Sequence, residues 1–94
     1  MAIKRVHVYI SGRVQGVWFR ATAQGVAIDY NLTGWVRNLR DGRVEMVAEG
    51  EEDQLTKLIE WCHQGSDQAE VSDVDATWTD PTFEFGAFLT GETA

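Results

Sequence analysis

The first thirty residues change from an alternating to a helical pattern of apolar positions. Val6, Val8 and Ile10 alternate with polar residues, which predicts a strand with one buried face. Further along, apolar residues recur at intervals of three and four, the spacing of an amphipathic helix. The helical set is Phe19, Ala23, Val26, Ala27 and Tyr30. Asn31 suits the left-handed position that commonly follows a helix.

The middle of the chain predicts a hairpin followed by a second helix. Asp41-Gly42 is a hairpin turn signal between a strand near residues 34–40 and another near residues 43–49. Three acidic residues at 51–53 favour a helix N-terminus, where the helix dipole is positive. The apolar stripe of this second helix consists of Leu55, Leu58, Ile59 and Cys62.

Alternation returns in the last third of the chain and predicts two more strands. The fourth strand carries Val74, Ala76 and Trp78. A turn at Asp80-Pro81 separates it from a short fifth strand with Phe83, Phe85 and Ala87. The Asp67–Asp80 segment is rich in acids but lacks the spacing of an EF-hand, so we interpret it as the solvated face of an edge strand.

The order strand, helix, strand, strand, helix, strand predicts an α+β ferredoxin-like βαββαβ sandwich, with an antiparallel sheet and two helices on one face. In that topology the first two strands are parallel with the third between them, so both end at the same sheet edge. We therefore expect the loop after the first strand to meet Asn38, which shares a strand face with Val36. Two strand spacings, about 10 Å, would separate the backbones.

That loop, from Gly12 to Arg20, combines glycines and arginines at a strand-to-helix junction. Unpaired N–H groups and the helix dipole favour a bound anion there, and Arg20 would add a bidentate fork. The loop lacks the spacing and the Gly-Lys-Ser/Thr of a nucleotide-binding P-loop. From the loop alone, a tight turn with solvent-facing arginines is an equal alternative.

A second segment, Thr33–Glu45, completes a pair of motifs that resembles the acylphosphatase family. The family loop Gly-x-Val-Gln-Gly-Val-x-Phe-Arg and the segment Gly-aromatic-Val-x-Asn-x-x-x-Gly-x-Val-Glu are both present, and the resemblance covers roughly residues 4–78. The loop is matched by Gly12, Val14, Gln15, Gly16, Val17, Phe19 and Arg20. The segment is matched by Gly34, Trp35, Val36, Asn38, Gly42, Val44 and Glu45.

The resemblance implies metal-independent hydrolysis of a small-molecule acyl phosphate to carboxylate and inorganic phosphate, without a cofactor. Arg20 and Asn38 would be the catalytic residues, Asn38 by orienting the attacking water. The phosphate would be held by Val14, Gln15, Gly16, Val17, Trp18, Phe19 and Arg20. Two alternatives stay open: a non-catalytic module that binds phosphate or an acyl phosphate, and an Asn38 that only bonds neighbouring backbone.

Length, composition and charge limit the number of domains, the partners and the location that we expect for this protein. The 94 residues suffice for one domain, residues 1–94. The net charge of −7 and the missing RNP1 pattern argue against nucleic-acid binding. Residues 1–45 carry seven basic and three acidic residues, a net charge of +4, which favours a local anion site. No apolar run approaches a membrane span and no signal-peptide core follows Met1, so we expect a cytoplasmic protein. The small core and the lack of an obvious exposed apolar patch favour a monomer.

The other residues with reactive side chains are predicted to be structural. His7 and His63 fall far apart in the pattern without a matching Cys or acidic cluster, so neither is expected to bind a metal. Cys62 lies on the apolar stripe of the second helix and is expected to fill the core. Trp18 lies within the loop, where it could shape substrate access or pack.

Overall fold

The computed structural model describes residues 2–94 and has the predicted βαββαβ order, followed by a fifth strand. The elements are β1 (Ile3–Arg13), α1 (Phe19–Asp29), β2 (Thr33–Asn38), β3 (Val44–Glu51), α2 (Glu52–Gln64), β4 (Glu70–Thr79) and β5 (Phe88–Thr90). Asn31 follows α1 with φ 58°, the left-handed conformation predicted for it. Within residues 2–94, no helix has the length and apolar character needed to cross a membrane.

The strand order β4-β1-β3-β2-β5 confirms the predicted relation between the first two strands. Both β1 and β2 pair antiparallel with β3, so they run parallel to each other on either side of it. Val44 lies opposite Ile10 on one side and Asn38 on the other. Since Ile10 is fully buried under the helices, this row places Asn38 on the helix-facing side of the sheet, at the end of its strand.

The core lies between the sheet and the two helices, and the predicted apolar stripes form it. The sheet contributes Val6, Val8, Ile10, Val36, Met46 and Ala48, all fully buried. The helices contribute Phe19, Ala23, Ala27, Leu55, Leu58 and Cys62. Ile59, Val26 and Tyr30 pack at the margin of this cluster. Burial of these side chains supplies the main force that holds the helices on one face of the sheet.

The last strand differs from its prediction. Residues 83–87 form no strand; instead β5 follows them and pairs parallel with β2, so the five-stranded sheet is mixed rather than wholly antiparallel. The reason is the carboxylate of Glu49, whose oxygens accept the backbone N–H groups of Thr82 and Phe83 at 3.0 and 2.9 Å. These bonds hold the segment across the face opposite the helices, and Phe83 stays 73% exposed there.

Candidate functional site

A cavity of about 370 Å³ lies at the sheet edge where β1 and β2 end. It is lined by Val14, Gly16, Trp18, Phe19, Arg20, Ala21 and Asn38. The residues come from the loop 14–18, the first turn of α1 and the end of β2. The fold therefore brings the two predicted motifs together around one space, as the strand order required.

The loop 14–18 presents backbone donors that the rest of the chain leaves free. Within residues 2–94, its N–H groups donate to no other backbone or side-chain atom. The first N–H groups of α1 also lack partners within the helix, as at any helix start. Together with the positive end of the helix dipole, these groups make the loop side of the cavity attractive to an anion.

Contacts on the inner side of the loop hold it in this shape. Val14 and Val17 are buried in the core, and the Val17 carbonyl accepts a hydrogen bond from the Ser66 hydroxyl at 2.6 Å. Gly16 takes φ 73°, a backbone conformation that favours glycine. Val14 and Val17 are thus buried while Gly16 between them lines the cavity with its backbone.

The Gln15 side chain fastens the loop to the hairpin that follows Asn38. Its Nε2 donates to the carbonyl oxygens of Leu39 and Arg43, at 2.7 and 2.8 Å. The position of the loop relative to the end of β2 is therefore set by two hydrogen bonds. The motif indicated only a backbone role for Gln15, and no sequence pattern indicated which carbonyl groups its side chain would reach.

Arg20 lies in the first turn of α1 and is the cationic residue of the cavity lining. The side chain is half-buried, and its Nη1 donates to the Gly91 carbonyl at 3.2 Å. Its other N–H donors have no acceptor within residues 2–94. No sequence pattern indicates this contact with the C-terminal segment, since every residue type has a backbone carbonyl.

Asn38 lines the same cavity as Arg20, and its side chain is unengaged. Within residues 2–94 this half-buried amide makes no hydrogen bond, although the Asn38 backbone carbonyl accepts one from Ala94 N–H at 3.0 Å. A structural asparagine bonded to its neighbouring backbone, the alternative raised by the sequence, is therefore not what the structure contains. The side chain retains both a donor and an acceptor for a ligand or a water molecule.

A second polar cluster lies on the sheet face opposite the helices. Burial of Glu49 would raise its pKa, but the backbone N–H groups of Thr82 and Phe83 and the guanidinium of Arg5 together lower that pKa to about 2. Burial has the same opposing effect on Glu45, whose pKa is nevertheless lowered because His7 and Arg37 contact its carboxylate at 2.6 and 2.8 Å.

The remaining reactive residues lie apart from the cavity. Cys62 is fully buried, and burial raises the pKa of its thiol to about 12, as expected for a core residue. His63 is exposed near the end of α2. Across residues 2–94, no group of three His, Cys, Asp or Glu side chains is arranged to hold a metal ion. The acidic residues Asp73 and Asp75 are exposed on the edge strand β4, as predicted.

The family model and the curated relatives identify one family. A sequence model of the acylphosphatase family matches residues 6–90. An acylphosphatase of Marinobacter nauticus is 53% identical over 90 residues, which cover 96% of this chain and 98% of that protein. The crystal structure of an acylphosphatase from Bacillus subtilis superposes with a TM-score of 0.91 at 36% identity, covering 96% of this chain and 99% of that one.

The same fold also occurs as a segment of a longer protein. Full-length HypF in its phosphate- and nucleotide-bound form matches with a TM-score of 0.88 and 26% identity. That match covers 98% of this chain but only 12% of HypF. The curated relative above is instead matched along nearly its whole length.

Proposed function

This chain belongs to the acylphosphatase family, and from that membership we propose that it hydrolyses acyl phosphates in the cavity between the loop 14–18 and Asn38. The observation that carries the proposal is that one cavity has both free N–H groups on the loop 14–18 and a free side-chain amide on Asn38. A module that only binds phosphate needs the donors alone. The amide favours catalysis over that alternative, because it adds a group that can orient water.

We infer that the phosphoryl group binds between the backbone N–H groups of residues 14–19 and the Arg20 guanidinium. The donors of the loop and of Arg20 are the supporting observation. Hydrogen bonds to a charged group each contribute about 1.5 to 3 kcal/mol. Several such bonds hold the phosphorus at a fixed distance from Asn38, which is most of what a phosphoryl-transfer site must do.

The chemical step then uses Asn38 to orient a water molecule. The amide oxygen accepts a hydrogen bond from the water molecule and the amide N–H donates one to the water oxygen, whose other lone pair attacks phosphorus. The bond between phosphorus and the acyl oxygen breaks, and its electron pair leaves with the carboxylate. An amide is too weakly basic to keep a proton, so the water proton passes to a phosphoryl oxygen or to solvent. A carboxylate leaves without a proton donor, and the scheme calls for no metal or other cofactor.

We propose a simple molecular setting for this reaction: residues 1–94 acting as one monomeric domain in the cytoplasm, with a small-molecule substrate and no nucleic-acid partner. The net charge of −7 supports the absence of a nucleic-acid partner. Light scattering on a sizing column tests the monomer, since a dimer would double the measured mass.

The decisive experiment is hydrolysis of benzoyl phosphate with EDTA present, comparing the wild-type protein with Asn38→Ala. We expect metal-independent turnover, a kcat lowered about 100-fold in the variant, and a nearly unchanged inhibition constant for inorganic phosphate. Asn31→Gly is the matched control, because Asn31 is exposed beyond α1 in a conformation that glycine adopts readily. Phosphate binding without turnover by the wild-type protein would favour the non-catalytic module instead.

A further inference from the structure

We propose that the indole of Trp18 forms an acyl-group subsite that selects substrates with an aromatic acyl group. The proposal rests on the proposed function, because it concerns the part of the cavity that a bound phosphoryl group leaves free. Trp18 lines the cavity together with Arg20 and Asn38. Its backbone belongs to the loop 14–18, whereas the subsite is made by its side chain.

The backbone at Trp18 gives no reason for an aromatic residue. Trp18 precedes the first residue of α1 with φ 64° and ψ 16°, in the left-handed region. Glycine and asparagine adopt this conformation at least cost, and a bulky L-residue is strained in it. Within residues 2–94, only Asn31 and Phe83 share a positive φ among the non-glycine residues. The fold therefore tolerates tryptophan here rather than requiring it.

The indole also contributes little to the core. Trp18 is 80% exposed, whereas Trp61 is half-buried with its ring centroid 5.0 Å from that of Phe19. Of the two roles that the sequence left open for Trp18, packing is thus excluded by its exposure. A ligand in the cavity would bury this solvent-exposed aromatic surface, and that burial would favour binding.

The residues that line the cavity indicate which part of a ligand would contact the indole. Trp18 also lines a second hollow of about 340 Å³, together with Val17 and Thr22. Ala21, the neighbouring lining residue on α1, has a small and exposed side chain that leaves room beside the indole.

Arg20 is the charged side chain in the described lining, and the phosphoryl group engages it. The acyl part of the substrate therefore meets no further charged side chain in this lining, and selection there depends on apolar and stacking contact. A flat aromatic acyl group fits the indole face, whereas an acetyl group covers little of it.

The test compares kcat/KM for benzoyl phosphate and acetyl phosphate in the wild type, Trp18→Ala, Trp18→Gly and Trp18→Phe. Loss of the indole should lower the benzoyl-to-acetyl ratio about three- to tenfold, mainly through KM for benzoyl phosphate. Any disturbance of phosphate binding affects both substrates and cancels in this ratio. Trp18→Phe should retain most of the preference, since a phenyl ring also stacks.

Trp18→Gly separates the indole from its backbone conformation. Glycine relieves the left-handed strain, so a ratio as low in Trp18→Gly as in Trp18→Ala supports the side-chain subsite, and a wild-type ratio in either variant overturns it. Trp78→Ala, which removes a 42% exposed indole from β4, is the matched control and should keep the wild-type ratio. A wild-type protein that hydrolyses neither substrate would overturn the proposed function itself, and the subsite with it.

Discussion

The cavity at the sheet edge and the Glu49 cluster on the sheet face opposite the helices, called the open face below, both contain polar groups, but those of the cluster are buried and paired, whereas Asn38 at the cavity is half-buried and free. On the open face, the Glu49 carboxylate accepts hydrogen bonds from Arg5, Thr82 and Phe83. At the cavity, the loop 14–18 and Asn38 keep donors and acceptors that no group within residues 2–94 engages. Free donors and a free amide that converge on one cavity are therefore the better marker of a binding site than a paired, buried carboxylate.

The carboxylate with the most strongly lowered pKa in residues 2–94 does not belong to the cavity. A strongly shifted pKa often marks a functional group, yet the carboxylate with a pKa of about 2 belongs to Glu49, far from the proposed chemistry. Its shift arises from hydrogen bonds that attach residues 82–83 to the sheet. The proposed water-positioning residue, Asn38, does not titrate at all.

The largest effect expected at the cavity comes from Arg20. Arg20→Ala should lower kcat/KM for benzoyl phosphate by about 10³-fold and abolish inhibition by inorganic phosphate, because the main cationic contact is lost. Arg20→Lys should fail nearly as badly, since an ammonium cannot reproduce the planar fork. Arg13→Ala, which removes an exposed arginine from the end of β1, is the control. Wild-type kinetics in Arg20→Lys would show that Arg20 is peripheral.

A smaller effect is expected from Gln15, which couples the two parts of the cavity. Gln15→Met keeps the length of the side chain but removes both donors to the hairpin carbonyls, so kcat should fall about tenfold as the distance between loop and Asn38 becomes less defined. Gln24→Met removes a comparable bond, from α1 to the Phe88 carbonyl at 3.0 Å, and should leave kcat within about twofold. Equal losses in the two variants would contradict a specific positioning role.

A substitution in the Glu49 cluster of the open face should change the stability of the protein and leave its catalysis unchanged. Glu49→Gln should lower the free energy of unfolding by about 2 kcal/mol at pH 7, since a charged acceptor is removed from a buried network. The kcat of the folded variant should stay unchanged. Urea titrations followed by tryptophan fluorescence, together with benzoyl phosphate assays, measure both quantities, and a large kcat loss would mean that the two regions are coupled.

The pH dependence of this difference has a definite sign. The pKa of Glu49 is lowered from 4.5 to about 2 in the folded chain, so its stabilisation is complete above about pH 4.5 and is lost as the pH falls towards 2. The wild type should therefore approach the stability of Glu49→Gln in acid. A difference between the two proteins that stays constant from pH 7 to pH 2.5 would contradict the assignment.

Much of the architecture could be predicted because its signals are local and periodic. The alternation of Val6, Val8 and Ile10 and the stripe around Leu55 and Leu58 follow directly from which face is buried. Once the order of elements was known, the meeting of the loop with Asn38 followed from the strand order. The alternation near Phe83 predicts the fifth strand at the wrong residues, because the Phe83 N–H is bonded to the distant Glu49 carboxylate and not to a neighbouring strand.

The amino-acid sequence by itself determined the six elements of the βαββαβ order, the two motifs and the residue types at the proposed site, since these depend on nearest neighbours and on side-chain chemistry. Only the tertiary structure decided which hydrogen-bonding groups are already used. The hydrogen bonds of Gln15 with Leu39, of Arg20 with Gly91 and of Glu49 with Thr82 join residues far apart in the sequence, and no local pattern encodes them. Asn38 is left free for the same reason: satisfaction of a polar group depends on what folding brings beside it.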